Sequence, residues 1–537
     1  MNNVAAAVSR ALLGIFLACA ITLGLSAGAW GQVKKGGTLV VAFTSIRTLN
    51  PAVQSGAATG MPGSQLFAGL VEMDDKFQPQ PYLAERWEIS GDKKTYTFHL
   101  VKGATFHDGK PITSEDVAFS LEAAKKYHPF GQIMFGAVEK VEIPTPDIAV
   151  VRLSRPSPGF MQALQPFLMP ILPKHIYGDG KDLKTHPRNV QDVVGSGPFK
   201  LAEYKANEHV ILTRFDNFFR PGRPYLDRIV IKQLRDPAAA MVGFERGELD
   251  YAPFAGFEFR QIDRIAKEHK GDIVVTRKGY EAVGLVYYLE LNLRRKPYDD
   301  VRVRRAIQYA IDRNVLANKL LVGQVSPSEG PLASTNPFYD AASLVRYPYS
   351  LEKANALLDE AGLKPDANGV RFAMTLDEAN WSPNVHGPMA EYIRAQLKRV
   401  GINVTLRRSP DFATWVKRIA SWDYDATTNG AWNYPDPVIG VHRLFVCDNI
   451  RNQIWTNTQG YCSKEADAAL AKAANDLGVE ARKKAYSEFQ HVVTNDLAQL
   501  FMVEGSYVTL YHNYVKNPPS SVWGAMAPFD QVYLDKK

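Results

Sequence analysis

The residue types able to do covalent chemistry are present, but most fail on spacing. Gly103 to Lys110 has the look of a phosphate-cradling loop, yet five residues separate its glycines instead of four. Pro111 also stands where Ser or Thr must follow the Lys. Gly195-Ser196-Gly197-Pro198 lacks the G-x-S-x-G spacing of a nucleophile elbow, so Ser196 reads as a turn residue. Asp423-x-Asp425-x-Thr427 opens like a calcium loop, but its glycine is displaced and Tyr434 occupies the place of the bidentate Glu. His99 and His107 lie eight apart without further identifiable ligands, and no H-E-x-x-H occurs. An extracytoplasmic hydrolase would have to draw on Ser196 with His107 or His442 and one of many acids. Nothing in the linear order places these together.

Two other stretches have the composition of a binding surface. Ala379-Asn380-Trp381-Ser382-Pro383-Asn384 and Thr427 to Pro437 interleave aromatics with Asn, Gly and Pro. Such loops can stack on a ligand and hydrogen-bond it through amides and backbone. Surface turns with a few packed aromatics would read the same way.

The elements that must carry these stretches are legible. Thr38 to Phe43 is a β-rich run ending in turn residues, and Thr95 to Leu100 alternates with period two. Thr113 or Ser114 followed by Glu115-Asp116 is a helix start. Val210 to Thr213, Ile229 to Ile231 and Tyr287 to Leu293 read as strands. Helices are predicted from Asp300 through Ile311, from Ser350 to Ala361 before Gly362, and through Met389, Ile393, Leu397 and Val400 before Gly401. Ile402, Val404 and Leu406 then alternate as a strand. A helix passing into a strand across a short glycine link is α/β architecture.

With 537 residues the chain predicts two or more domains, and 46% hydrophobic and 22% charged residues exclude disorder along its length. The 63 Lys plus Arg against 56 Asp plus Glu give +7, but the bases are scattered, which argues against nucleic acid as a partner. Ala11 to Leu25 is apolar, follows the single charge of Arg10 and ends at the small residues Ser26-Ala27-Gly28-Ala29. That is the layout of a cleaved signal peptide, residues 1–31. A lipid-anchored form cut before Cys19 ranks second, because the residues after Cys19 stay apolar. Loss of the signal removes Arg10 and Cys19, leaving 62 against 56, or +6, and two cysteines, Cys447 and Cys462. An even count in an oxidising compartment predicts their disulfide, free thiols being the alternative.

One segment carries a family resemblance: Leu83-Ala84-Glu85-Arg86-Trp87, Tyr96 to Leu100, Phe106-His107-Asp108-Gly109, Pro111, Asp116-Val117 and Phe119-Ser120. It resembles the hallmark of the family 5 extracellular solute-binding proteins, the peptide, dipeptide and nickel receptors of ABC importers. The likeness continues through Gly195 to Phe199, Leu226-Asp227, Gly247 to Asp250, Asp300 to Arg304 and Ala310 to Arg313. It implies an α/β, two-lobed periplasmic-binding-protein fold of type II, the venus-flytrap, with an extra α/β domain inserted in lobe I. Mapped here, lobe I is 33–65, 194–281 and 505–537, the inserted domain 66–193 and lobe II 282–504. It further implies a monomeric periplasmic receptor with no cofactor, working with the permease subunits of an ABC importer and their ATPases. Ligand closes the lobes by binding the closed form better.

The matching pocket positions are Gln54, Ser55 and Gly56, then Asn380 and Trp381, then Gly430, Trp432, Asn433, Tyr434 and Asp436. Dipeptide-binding members hold the ligand carboxylate with an Arg and its amine with an Asp. Here Ala379 and Asn433 stand at those places, which implies a longer or N-blocked peptide or a non-peptide solute, with Asn433 offering neutral hydrogen bonds. His386 and His442 keep a metal-chelate receptor open. Cys447 and Cys462 fall where dipeptide-binding members place a disulfide.

Overall fold

The computed structural model describes residues 33–234, 236–254 and 257–536. The signal segment and Cys19 lie outside the described residues. Seven strands form one sheet in the order Ile273–Thr276, Thr509–His512, Tyr251–Ala252, Thr38–Phe43, Arg228–Gln233, His209–Arg214 and Phe199–Lys205. Thr38–Phe43 runs parallel to Arg228–Gln233, with Thr38 opposite Arg228 and Phe43 opposite Gln233. Apolar side chains cover both faces, Leu39, Val41 and Ile231 on one and Ala42, Met241 and Phe244 on the other.

A second sheet of six strands follows the order Val325–Pro327, Leu500–Gly505, Leu285–Leu291, Ala426–Trp432, Phe372–Glu378 and Ile402–Arg408. Leu285–Leu291 is paired on both sides and buried at every position, so it reads as an apolar run rather than an alternation. Phe372–Glu378 and Ile402–Arg408 are parallel and joined by the helix Pro383–Lys398, a β-α-β unit. Four strands, Ala84–Ile89, Thr95–Leu100, Ile148–Leu153 and Val138–Thr145, make a third sheet, with the helix Ser114–Tyr127 against it. Thr95–Leu100 alternates half-buried and buried residues, as its period-two pattern predicts.

The helix punctuation follows the sequence. Thr113 and Asp116 form a capping box, and Asp300 and Ser350 cap Val301–Ala310 and Leu351–Glu360 through side-chain oxygens. Gly362 and Gly401 both take the left-handed conformation, φ +79° and +77°, which an L side chain adopts only with strain. One reading is corrected. Thr427 to Trp432, taken for a loop from its Asn, Gly and aromatic content, belongs to a buried central strand. Pairing with Leu285–Leu291 on one side and Phe372–Glu378 on the other outweighs the local propensity.

Two segments link the seven-stranded to the six-stranded sheet: residues 277–284, between Ile273–Thr276 and Leu285–Leu291, and residues 506–508, between Leu500–Gly505 and Thr509–His512. They are tied to each other where Ser506 Oγ donates to the Arg277 carbonyl at 3.2 Å, and Tyr280 Oη lies 2.5 Å from Oγ1 of Thr509, the first residue beyond the second link. Beside them, Gly279 packs on Gly524 so closely that a Cβ on Gly279 would sit 2.9 Å from the Gly524 Cα.

Cys447 and Cys462 form the expected disulfide across 15 residues. Closing a loop of that length contributes about 3 kcal/mol in the chain-entropy model. The double variant Cys447→Ser, Cys462→Ser should therefore lower the unfolding free energy by about that amount in denaturant titrations. An unchanged value would show that the linkage adds nothing beyond the surrounding packing.

Candidate functional site

Gly430 is the point from which the site is built. It lies in Ala426–Trp432 opposite Tyr287, and a Cβ there would come within 3.0 Å of Trp381 Cη2 and 3.1 Å of the Val286 carbonyl. Glycine thus lets the Trp381 indole approach the strand. That indole stacks on Tyr287, centroids 5.7 Å apart and 9° from parallel, and meets the His386 ring edge-on at 4.5 Å. Trp381 is held there by its position between Phe372–Glu378 and the helix that Pro383 opens. The same helix carries His386, fully buried, on its inner face.

Four buried polar atoms in this corner have no hydrogen-bond partner: Asn380 Oδ1, Trp381 Nε1, and both ring nitrogens of His386. Buried polar atoms are nearly always bonded, so their concentration sets this corner apart from a core. Burial holds the His386 imidazole neutral, with its pKa lowered to about 3.

A second aromatic group adjoins the first through Tyr507. The Trp432 ring lies 6.1 Å from Tyr507, 6.3 Å from Phe167 and 6.0 Å from Tyr434. Tyr434 packs edge-on against Phe130 at 5.5 Å and Trp523 at 5.8 Å, and its hydroxyl lies near Ser55. The rings of this group come from the segments of all three large sheets. Burial pushes the Tyr507 phenol up to about 12, and those of Tyr287 and Tyr434 higher still. All three stay neutral and able to donate.

The positions expected from the sequence divide into two sets. Gln54, Ser55 and Gly56 stand half-buried before the helix Ala57–Leu66, and Ser55 reaches Tyr434. Trp381 and Gly430 meet in the first corner, and Trp432 and Tyr434 belong to the adjoining ring group. Asn433 and Asp436 are engaged elsewhere. Asn433 Nδ2 donates to the Pro331 carbonyl at 3.0 Å while Oδ1 accepts from Ala333 N–H at 2.6 Å. Asp436, 1% exposed, accepts two bonds from Arg482 at 2.7 and 2.8 Å and one from Val438 N–H at 3.0 Å. These two residues shape the turn that presents Trp432 and Tyr434. Ala379 packs among Trp415, Ile419 and Tyr424, so the position where an Arg was expected to be missing is inside a core.

The Ser–His pairing considered for a hydrolase is not assembled. Ser196 Oγ donates to the Ile171 carbonyl and accepts from Ala68 N–H, both at 3.0 Å, and is fully buried. His107 spans the same turn: Gly195 N–H donates to Nδ1 at 3.1 Å, and Nε2 lies 3.0 Å from the Gly197 carbonyl. His442 Nε2 is 3.0 Å from the Tyr486 hydroxyl. Ser196 and His107 clasp backbone and His442 a tyrosine hydroxyl, rather than forming a nucleophile and its base.

Residues that sequence reasoning passed over include Tyr287, Tyr507, Phe130, Phe167 and Arg443. The first four resemble any buried aromatic. Arg443 carried a signal, a cation beside His442 in the mostly apolar stretch Val441 to Val446.

The profile of the bacterial extracellular solute-binding proteins, family 5, matches residues 78–452. A Brucella ovis protein described as a putative ABC transporter peptide-binding protein is 30% identical over 404 residues, 72% of this chain and 72% of its own. The oligopeptide-binding protein AppA of Bacillus subtilis is 27% identical over 493 residues, 88% of this chain and 87% of its own. The Bacillus subtilis AppA structure with a nonapeptide matches at a TM-score of 0.81 and 24% identity, over 94% of this chain and 100% of that one. NikZ from Campylobacter jejuni, solved with Ni(L-His), matches at 0.79 and 24%, over 92% and 97%. The fold shared with them is the two-lobed one of periplasmic binding proteins.

Proposed function

The chain belongs to the family 5 bacterial extracellular solute-binding proteins, and from that premise we propose that it is the solute-binding receptor of an ABC importer. It takes a peptide or peptide-like solute between its two lobes and passes it to the permease. The observation that carries the solute class is the corner around Gly430. Stacked rings and unbonded amide, indole and imidazole atoms there suit a chain of alternating apolar and amide groups. Asn433 and Asp436, spent inside the protein, supply no anchor for a free amine, which favours longer or N-blocked peptides over dipeptides.

The seven-stranded sheet is the core of lobe I, with segments 33–65, 194–281 and 505–537. The six-stranded sheet is that of lobe II, 282–504, and the four-stranded sheet that of an inserted unit, 66–193. The solute leaves unchanged, the protein works as a monomer without a cofactor, and the signal at 1–31 directs it to the periplasm. No helix among the described residues is long and apolar enough to cross a membrane. A metal chelate is the second reading, favoured by the two unbonded nitrogens of His386 beside Trp381.

Incubation of the solute-free protein with a casein hydrolysate, followed by mass spectrometry of what it retains, tests the proposal. Peptides should be recovered intact; cleaved products would show a hydrolase, and retention of nickel–histidine alone would favour the second reading. Gly430→Ala, which drives a methyl group against Trp381, should weaken peptide retention about tenfold, or about 1.4 kcal/mol. Undiminished retention would place the solute elsewhere.

A further inference from the structure

Most buried guanidinium groups of this protein are matched. Arg482 meets the Asp436 carboxylate and the Ala473 carbonyl. Arg304 donates to the carbonyls of Tyr298, Asp299 and Asp496. Arg313 donates to those of Ser328 and Tyr347, with Glu329 3.8 Å away. Arg443 differs. It is 4% exposed, yet among the described residues no Asp or Glu lies within ion-pair distance of it. Nη1 donates to the Trp455 carbonyl, and Nε is buried without a partner. Its guanidinium carbon lies 4.5 Å from the centre of the Phe130 ring, the ring against which Tyr434 packs. Burial pulls its pKa down, and the groups beside it, the phenols of Tyr434 and Tyr288, are neutral.

Arg443 thus stands behind the Phe130 ring that Tyr434 packs against, next to the aromatic lining of the site. An isolated cation in so dry a place is expensive, and arginine keeps its charge where lysine or histidine would give it up. What would offset that cost is an anion that arrives with the solute. A carboxylate fits, since it accepts two parallel N–H donors from a guanidinium and those charge-assisted bonds strengthen away from water.

We propose that Arg443 anchors a carboxylate of the bound solute. The proposal rests on the receptor reading above and narrows it: the solute carries an anionic end and needs no free amine. For a peptide this is the C-terminus, and an N-terminal block is tolerated. The position is distinct from residues 379 and 433, where charged anchors were sought from the sequence.

The experiment uses the full chain stripped of bound solute by unfolding and refolding, beside its Arg443→Met variant of similar size without charge. Each is offered a casein hydrolysate, either untreated or methyl-esterified at its carboxyl groups, and retained peptides are quantified by mass spectrometry. The native protein should retain the untreated form at least tenfold more than the esterified one, and Arg443→Met should lose that preference. Equal retention of both forms by the native protein, or an undiminished preference in the variant, would overturn the anchor and leave the peptide reading standing.

If neither protein retains any peptide, the peptide reading fails, and the melting temperature of the solute-free proteins decides the anchor. An Arg443→Met variant melting at or above the native protein supports it, because a residue kept for a ligand is a burden without one. A variant that melts several degrees lower, or does not fold, assigns Arg443 to the framework.

Discussion

Acidification from pH 6.5 to pH 4 is expected to cost the folded state about 9 kcal/mol, from three histidines alone. His128, His386 and His442 are 4%, 0% and 8% exposed, and burial lowers each pKa to about 3 against an ordinary 6.5. A base whose folded pKa is depressed gives stability that is fully present above 6.5 and is lost as pH falls toward 3, because only the unfolded chain takes up the proton. Over that drop each group contributes about 3 kcal/mol.

Their surroundings offer little relief. His386 has no hydrogen bond at either nitrogen, His128 none at Nε2, and His442 sits beside the Arg482 cation. Since domains are stable by only about 5 to 15 kcal/mol, a loss of that size removes most of the folded state's margin by pH 4. Denaturant titrations at pH 7, 6 and 5 would give the proton uptake, and His442→Gln should remove about 1.4 kcal/mol per pH unit of the slope. Stability that is level from pH 7 to pH 5 would show that these rings are charged or wet in the folded state.

Removing one member of the Asp436–Arg482 pair should be the most damaging single substitution near the site. Both carboxylate oxygens accept from Arg482 Nη2, Arg482 Nε donates to the Ala473 carbonyl, and its guanidinium lies 4.5 Å from the Phe338 ring centre. Arg482→Met would leave a buried carboxylate with Val438 N–H as its remaining donor, at a cost of about 3–5 kcal/mol. Combining it with Asp436→Asn removes the stranded charge and should restore most of the loss. The turn they fix also holds Tyr434 at φ +60°, a strained value for a tyrosine, so peptide retention should fall with stability in the single variant. A loss under about 1 kcal/mol would mean that water already reaches the pair.

Local signals in the sequence translated well into structure. The caps at Thr113, Asp300 and Ser350, the glycines at 362 and 401 and the alternation of Thr95 to Leu100 act within a few residues, and each was readable from its neighbours. The disulfide was readable too, because only two cysteines remain once the signal is set aside. Partners far away in sequence defeated the same reasoning. Asn433 is claimed by Pro331 and Ala333, about 100 positions earlier, and Asp436 by Arg482, 46 positions later. A polar residue in an aromatic-rich stretch looks available for a ligand until such a partner is known. Gly430 and Trp381 were picked out by composition, but their contact depends on a strand order that sequence periodicity does not encode. Arg443 was visible only as a charge out of place.

The two links between the large sheets set which motion of the fold is soft. They are tied where Ser506 meets the Arg277 carbonyl, held further by Tyr280 and Thr509, and backed by the glycine contact of residues 279 and 524. Two fastened strips resist sliding and twisting and leave bending about one line as the soft motion, as a double-leaf pivot does. Whatever fills the site, the lobes then travel the same arc. Under the proposed receptor role, side chains of the lining would register the solute, whereas the pivot would determine the shape shown to a permease. Changes to the lining can retune what is carried while the outward signal stays constant.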